Sequence, residues 1–234
     1  MAKKFISISR YPGKQGYSFY SKFFEKYKID ASYTPIGTLS LLPEITTQLK
    51  NDVQGISISM PFKKEVISLL DSADDTVVEY ASCNTIVVTD HKMHGYNTDL
   101  SGVIYSSSKI NNGSRVSILG NGCMGKMFSS YLNKHTNCAA TIYSPSLGNW
   151  GLINTKTDVI INCTPYGTVN SASPYSVLPT GTSMIIDLAL NVGVLNQQAT
   201  VVGSDYISGQ EFYKHQFIKQ FEIYTGISLD ASEL

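Results

Sequence analysis

The sequence predicts an α/β protein of two domains. Short apolar runs rich in β-branched residues alternate along the chain with segments whose apolar residues recur at helical spacing. That alternation builds sheets with helices on their faces. The pattern is interrupted by a polar loop, Asn111-Asn112-Gly113-Ser114, and then starts again, and 234 residues are enough for one or two domains. No internal repeat or low-complexity tract is present.

In the first block, KFISIS reads as a strand, and residues 17–27 as a helix with Phe19, Phe23, Phe24 and Tyr27 on one face. SYTPIG is a second strand. Residues 41–49 read as a helix, with Pro43 tolerated in its first turn. GISISM is a third strand, and beyond Pro61 a helix carrying Lys63 and Lys64 runs to about Leu70. NTIVVTDHKMHGYNTD reads as two strands around a turn at residues 90–92, followed by a helix with Asp99 as its N-cap. The first sheet is therefore expected to be mixed. In the second block VSILG, TIYS, DVIINCT and MIIDLAL read as strands of a parallel sheet, with TVVGS as a last one. Residues 122–134 and 209–224 read as helices, the latter carrying Phe212, Gln216, Phe217 and Phe221.

Composition excludes several function classes. The formal net charge is zero and only 15% of residues are charged. Nothing global therefore draws the chain to nucleic acid or to an anionic membrane. No apolar run approaches the roughly 20 residues that span a bilayer. The apolar stretch within MAKKFISISRYPG is too short for a signal peptide, so the expected location is cytoplasmic. Cys83, Cys123, Cys138 and Cys163 form no C-x-x-C pair, which speaks against a disulfide frame or a metal site. His91 and His94 flank the hairpin turn without a carboxylate or cysteine cluster and read as solvated loop residues.

The most mechanistic motif is Gly120-Asn121-Gly122-Cys123-Met124-Gly125. It follows the strand VSIL directly and opens a helix, the context in which such glycines seat a dinucleotide pyrophosphate on helix N-terminal amides. The second domain is thus read as a Rossmann-type dinucleotide-binding domain. The next strand ends in Ser144-Pro145-Ser146. It supplies neither the acidic residue that would hold an NAD ribose nor an arginine for NADP.

Several motifs in order resemble the shikimate and quinate dehydrogenases, across nearly the whole chain. Ser57-Ile58-Ser59-Met60-Pro61-Phe62-Lys63 resembles that family's strand-to-helix lysine motif. Ala81-Ser82-Cys83-Asn84-Thr85 is similar to its A/V-N-T strand, and Gly95-Tyr96-Asn97-Thr98-Asp99 to its G-x-N-T-D motif. The glycine loop, Ile161-Asn162-Cys163-Thr164-Pro165-Tyr166-Gly167 and the closing helix from Gly209 to Gln216 follow in place.

The resemblance implies reversible NADP- or NAD-linked oxidation of a ring hydroxyl on a shikimate- or quinate-like acid, within aromatic amino acid biosynthesis. It implies Lys63 as acid/base group with Asp99 beside it. A helix N-terminus and Lys64 would lower the ammonium pKa while Asp99 would raise it and fix its position. At the edge of the site, Lys63 is expected to be dispensable for folding. Ser7, Ser9, Ser59, Asn84 and Gln216 are implied as substrate contacts. Gly120, Asn121, Gly122, Cys123, Met124, Gly125, Ser144, Thr164 and Gly209 are implied as cofactor contacts. The first domain (1–104 plus 207–234) would bind substrate, and residues 105–206 would form a reduced Rossmann-like domain. A small-molecule substrate, no metal, and a monomer or homodimer complete the reading.

The chain also departs from the family. The S-x-S-P segment that holds the substrate carboxylate is absent between Ser9 and Ser18, where Gly16 stands instead, as in a divergent dehydrogenase-like subgroup. Arg10 or Lys14 is left to pair with the carboxylate. A substrate-contacting tyrosine appears as Leu190. The N-R-T/S segment of NADP-preferring members is missing, and SPSLGNWGLINTKT reads as a trimmed loop without a helix. The competing class is a catalytically silent homologue that binds a small molecule or acts as a regulatory module.

Overall fold

The structure is a computed structural model that describes residues 2–41, 49–153, 156–166, 178–179, 181–190 and 193–234. Its contacts divide the chain into two compact units, Met1–Asp99 with Gln216–Leu234, and Leu100–His215.

The first unit holds a six-stranded mixed sheet in the order β2-β1-β3-β5-β6-β4. Its strands are β1 (Lys3–Ser9), β2 (Ala31–Gly37), β3 (Gly55–Ile58), β4 (Ser72–Ala73), β5 (Thr85–Thr89) and β6 (Lys92–Tyr96). β1 pairs in parallel with β2 and β3, whereas β5 runs antiparallel to β3 and β6. Asp90 and His91, both at positive φ (50° and 59°), close the β5–β6 hairpin. Two left-handed residues make the turn that matches strand twist. His94 lies in β6 rather than in a loop, its Nδ1 2.6 Å from Ser72 Oγ.

Side chains alternate across this sheet, so each face has its own core. One face buries Ile6, Ile8, Ile56, Ile58, Phe62, Val66, Ile86 and Met93. On the other, α1 (Gln15–Lys26) contributes Tyr20, Phe23 and Phe24. Phe221 and Tyr224, from the last helix, α6 (Gly209–Thr225), join them. Tyr20 stacks on Tyr33 at 4.3 Å and Phe19 on Phe217 at 5.0 Å. Burying each such ring stabilises the unit by about 2–3 kcal/mol.

Residues 42–48 of the helix expected at 41–49 lie outside the described residues. The lysine helix expected after Pro61 is not α-helical: residues 60–64 form turns, and Glu65–Leu69 a single 3-10 segment. Val66 and Ile67 are β-branched, which lowers the helical preference of so short a segment. A short helix, α2 (Asp75–Tyr80), capped by Asp74 accepting from the Thr76 amide, went unread in the sequence. Helix α3 (Asp99–Ser107) takes Asp99 into its first turn instead of leaving it as the cap.

The second unit holds five parallel strands in the order β11-β10-β9-β7-β8. They are β7 (Arg115–Leu119), β8 (Ala139–Tyr143), β9 (Val159–Asn162), β10 (Met184–Asp187) and β11 (Asp205–Ser208). Helix α4 (Cys123–His135) buries Met127, Phe128 and Leu132. The strand expected at 200–204 is instead the end of helix α5 (Val194–Val202), stopped by Gly203 in the left-handed region. Val201 is 85% exposed, so this β-branched run packs into no sheet. The true last strand, DYIS, follows it.

The β8–β9 crossover is trimmed, as its composition predicts. Its described residues form two 3-10 turns, Pro145–Leu147 and Trp150–Leu152. Asn149 ties them to the sheet: its Nδ2 donates to Ile142 O at 2.8 Å and its Oδ1 accepts from Ser144 N at 2.9 Å. One carboxamide thus satisfies a carbonyl and an amide at the end of β8, where a helical crossover would otherwise pack. Among the described residues no helix is long and apolar enough to cross a membrane.

Removing that clamp should be felt. Asn149→Ala is expected to destabilise the protein by about 1–3 kcal/mol in urea unfolding, since two backbone groups lose their partners. An Asn149→Asp variant keeps only the acceptor and should fall between.

Candidate active site

The site in the first unit is assembled where β3 and β6 end and the antiparallel β5 begins. Ser59 N donates to Ile8 O at 2.9 Å, and Phe62, whose ring is buried in the core, anchors the turn that follows. The carbonyl of Lys63 then accepts from Cys83 N at 2.8 Å, which sets the lysine turn against the residue preceding Asn84. Asn84 itself donates its amide to Tyr96 O and accepts from Ile58 N, binding all three strands.

These backbone ties bring Lys63 and Asp99 together. Lys63 Nζ lies 2.6 Å from Asp99 Oδ2, with the lysine side chain 12% and the aspartate 1% exposed. With no α-helix starting at Lys63, the helix-dipole effect expected from the sequence is absent. The charged partner of the ammonium is the carboxylate of Asp99, brought in by α3. Lys64 is exposed.

Asn84 is 3% and Gln216 is 6% exposed. Asn84 Oδ1 accepts from Thr98 N at 2.8 Å, Thr98 Oγ1 at 3.1 Å and Thr85 Oγ1 at 3.0 Å. Gln216 Nε2 donates to Thr98 Oγ1 at 3.2 Å. Four of the candidate residues, Lys63, Asp99, Asn84 and Gln216, therefore form one constellation, three of them directly joined to the Thr98-Asp99 pair. Ser59 is exposed at the end of β3. Ser9 is buried in β1, while Ser7 lies close to the Tyr33 phenol, whose burial raises its pKa. Tyr33 also stands over Gly16: a Cβ there would lie 3.1 Å from the phenol oxygen, tighter than ordinary contact.

Sequence reasoning missed Thr85, Thr98 and Gln220, which hold this constellation from behind. Thr98 lies within the motif already quoted, and Gln220 follows Gln216 by one helical turn on the same face. Cys83, beside Asn84, is inert: burial pushes its thiol up to about 12.

In the second unit the glycine loop has the shape of a phosphate cradle. Gly120 adopts φ +105°, and a Cβ at Gly125 would sit 1.9 Å from Gly120 O, so neither position admits a side chain without a backbone shift. At Gly122, by contrast, a Cβ meets nothing within 4 Å. Gly122 caps α4 with no side-chain hydrogen bond, and the first turn holds no acidic residue. The helix amides and this open space fit an anionic pyrophosphate. Asn121, Cys123 and Met124 are half-buried around the turn.

The remaining cofactor candidates are held by the scaffold. Thr164 abuts Gly120 through its methyl group and hydrogen-bonds Asn162 Oδ1 at 2.6 Å. Asn162 in turn donates to Asp187 Oδ1 at 2.9 Å and Tyr166 O at 2.8 Å, joining β9 to β10. Desolvation raises the pKa of the buried Asp187 carboxyl. Ser144 is buried and spends its hydroxyl on Ser146 N. Gly209 lets α6 start against strand ends: a Cβ there would lie 2.6 Å from Ala189 O. Gly167 lies outside the described residues, and Leu190 is half-buried after β10.

Burial of the ion pair corrects the expectation that Lys63 is dispensable for folding. Lys63→Ala strands a buried carboxylate and should cost about 3–5 kcal/mol in urea unfolding. Replacing both partners, Lys63→Met with Asp99→Leu, should recover most of that loss.

Comparison with known proteins shows what the chain is similar to. Residues 15–86 match the family model described as shikimate dehydrogenase substrate binding domain. The chain is 28% identical to a shikimate dehydrogenase (NADP(+)) of Pyrococcus furiosus, over 88% of this chain and 84% of that one. It is 26% identical to the shikimate dehydrogenase (NADP(+)) of Thermoplasma acidophilum, over 92% and 87%. Its fold is that of the shikimate dehydrogenase from Aquifex aeolicus, with a TM-score of 0.84, 22% identity, and coverage of 99% and 95%.

Proposed function

We propose that the chain is a member of the shikimate/quinate dehydrogenase family that catalyses reversible, NADP-dependent oxidation of a ring hydroxyl on a shikimate-like acid, interconverting shikimate and 3-dehydroshikimate; the match to the substrate-binding-domain model and the likeness to NADP-linked shikimate dehydrogenases support this reading. The observation that carries this reading is the buried Lys63–Asp99 pair at 2.6 Å, set beside the carboxamides of Asn84 and Gln216.

NADP held at the glycine loop supplies the hydride chemistry. Gly120, Gly122 and Gly125 shape its pyrophosphate seat, and the amides opening α4 face that charge. The rest falls to the first unit. In the oxidising direction the Lys63 amine takes the proton from the reacting hydroxyl; in the reducing direction the Lys63 ammonium returns it to the carbonyl oxygen. Asp99 fixes the position of Nζ, so the proton moves between groups already in place.

The ring hydroxyls are read by Asn84 Nδ2 and Gln216 Oε1. Neither atom has a hydrogen-bond partner among the described residues, and neither is sealed from solvent. With the family's paired serines absent, the substrate carboxylate falls to Arg10 or Lys14, both exposed between β1 and α1.

The first test is shikimate oxidation followed by NADPH absorbance, alongside an equilibrium titration with NADPH. Saturable turnover supports the proposal. Shikimate binding with no NADPH binding or turnover would favour the silent homologue instead. Lys63→Arg is the sharper variant. Arginine keeps the charge opposite Asp99, so folding should hold, but it does not release its proton. Turnover is expected to fall at least about 100-fold, and wild-type turnover would remove Lys63 from the mechanism. Gly122→Val suits the extended backbone there and should fold normally while filling the pyrophosphate seat. NADPH affinity should drop by more than about tenfold with shikimate binding intact; unchanged NADPH affinity would place the pyrophosphate elsewhere.

A further inference from the structure

Behind Asn84 lies a hydrogen-bond chain that the proposed reaction does not itself require. Gln220, one turn beyond Gln216 on α6, is 1% exposed. Its Nε2 donates to Thr85 Oγ1 at 2.6 Å and to the backbone carbonyl of Asn84 at 3.3 Å. Its Oε1 accepts from Tyr20 OH at 2.8 Å and from Ser57 Oγ at 3.1 Å. A backbone carbonyl only accepts, so the group facing it is the NH2 end, and the orientation of the Gln220 amide is fixed.

That polarity propagates. Thr85 Oγ1 accepts from Gln220 and has one proton left to give, with Asn84 Oδ1 at 3.0 Å and Thr98 Oγ1 at 3.0 Å within reach. Thr98 N, which only donates, faces Asn84 Oδ1 at 2.8 Å. The Thr98 amide therefore fixes Asn84 Oδ1 inward, the hydroxyls of Thr85 and Thr98 lie within donating distance of it, and the opposite end of the carboxamide, Nδ2, is turned outward. Thr98 Oγ1, with its own proton toward Asn84 Oδ1, accepts from Gln216 Nε2, so Gln216 shows its oxygen.

We propose that Gln220 is a positioning residue that, through Thr85, fixes the site's polarity toward a polyol ring, with Asn84 as donor and Gln216 as acceptor. This rests on the functional reading above. The polarity selects a ligand with one hydroxyl that accepts from Asn84 and another that donates to Gln216. Gln220 lies behind the site and acts by filling an acceptor position of Thr85 Oγ1, which turns the Thr85 proton toward Asn84 Oδ1 and Thr98 Oγ1 and so reinforces the orientation that the Thr98 amide imposes on Asn84.

The test is a double-mutant cycle in the full chain. Gln220→Met and Thr85→Val remove successive links while keeping side-chain volume. Each is expected to raise KM for shikimate about tenfold, with kcat changed less than about twofold and NADPH affinity unchanged. On an Asn84→Ala background neither should raise KM further. An equal rise on that background, or a loss of thermal stability with wild-type KM, would overturn the assignment and leave Gln220 a packing residue. If Gln220→Met fails to fold, Thr85→Val carries the test alone. A second readout needs no turnover. The Asn84 side-chain NH2 pair, assigned in the 1H–15N spectrum with Asn84→Asp, should shift or broaden in both variants in the absence of substrate. An unmoved pair overturns the proposal even for a protein inactive on shikimate. Inactivity of the wild type overturns only the functional reading.

Discussion

A lysine ammonium and an aspartate carboxylate held 2.6 Å apart, the carboxylate almost wholly out of water, constrain everything around them in the first unit. Desolvating two such charges is offset only when geometry is tight and the remaining polar atoms are satisfied. That demand accounts for the backbone ties converging there. The Lys63 carbonyl is fastened to β5 through Cys83, and Asn84 is fastened to β3 and β6. Thr98, the neighbour of Asp99, is fastened to Asn84. A looser arrangement would let water in and release the lysine. The same tightness would give the proposed proton-transferring group a fixed address.

The second unit solves a different problem with backbone alone. Its glycine loop has the shape of an anion seat made of amides and empty space, and that shape depends on the absence of side chains at Gly120, Gly122 and Gly125. The sheet beneath it is completed economically. In the β8–β9 crossover the described residues form two 3-10 turns, and the Asn149 side chain pairs with the end of the outer strand. Ser144 is drawn into the same turn, its amide donating to Asn149 and its hydroxyl accepting from Ser146 N.

The two units show how far pattern reaches. The βα alternation, the mixed first sheet, the Asp90–His91 hairpin and the helix behind the glycine loop were all legible, because each follows from local periodicity or from a turn with one chemical solution. Misreadings came where local preference is ambiguous. Val201 and Val202 look like strand residues, yet the run lies in a helix that Gly203 stops. Residues 62–70 look helical, yet they form turns and a 3-10 segment that holds the β-branched Val66 and Ile67. The candidate site was legible as residue types in motif order, and Lys63, Asp99, Asn84 and Gln216 do come together.

By itself the sequence determined which chemistry was available: a lysine, a carboxylate, two carboxamides and a glycine loop on an α/β scaffold. Those follow from residue identity and spacing, which a linear chain carries in full. Only the tertiary structure decided how each group is presented. Burial of Asp99, the outward turn of Asn84 Nδ2, and the service of Gln220, 136 positions away from the Asn84 carbonyl it bonds, arise from contacts between distant segments. A hydrogen bond has a direction that is fixed by the neighbour a fold supplies, and no local window of sequence contains that neighbour.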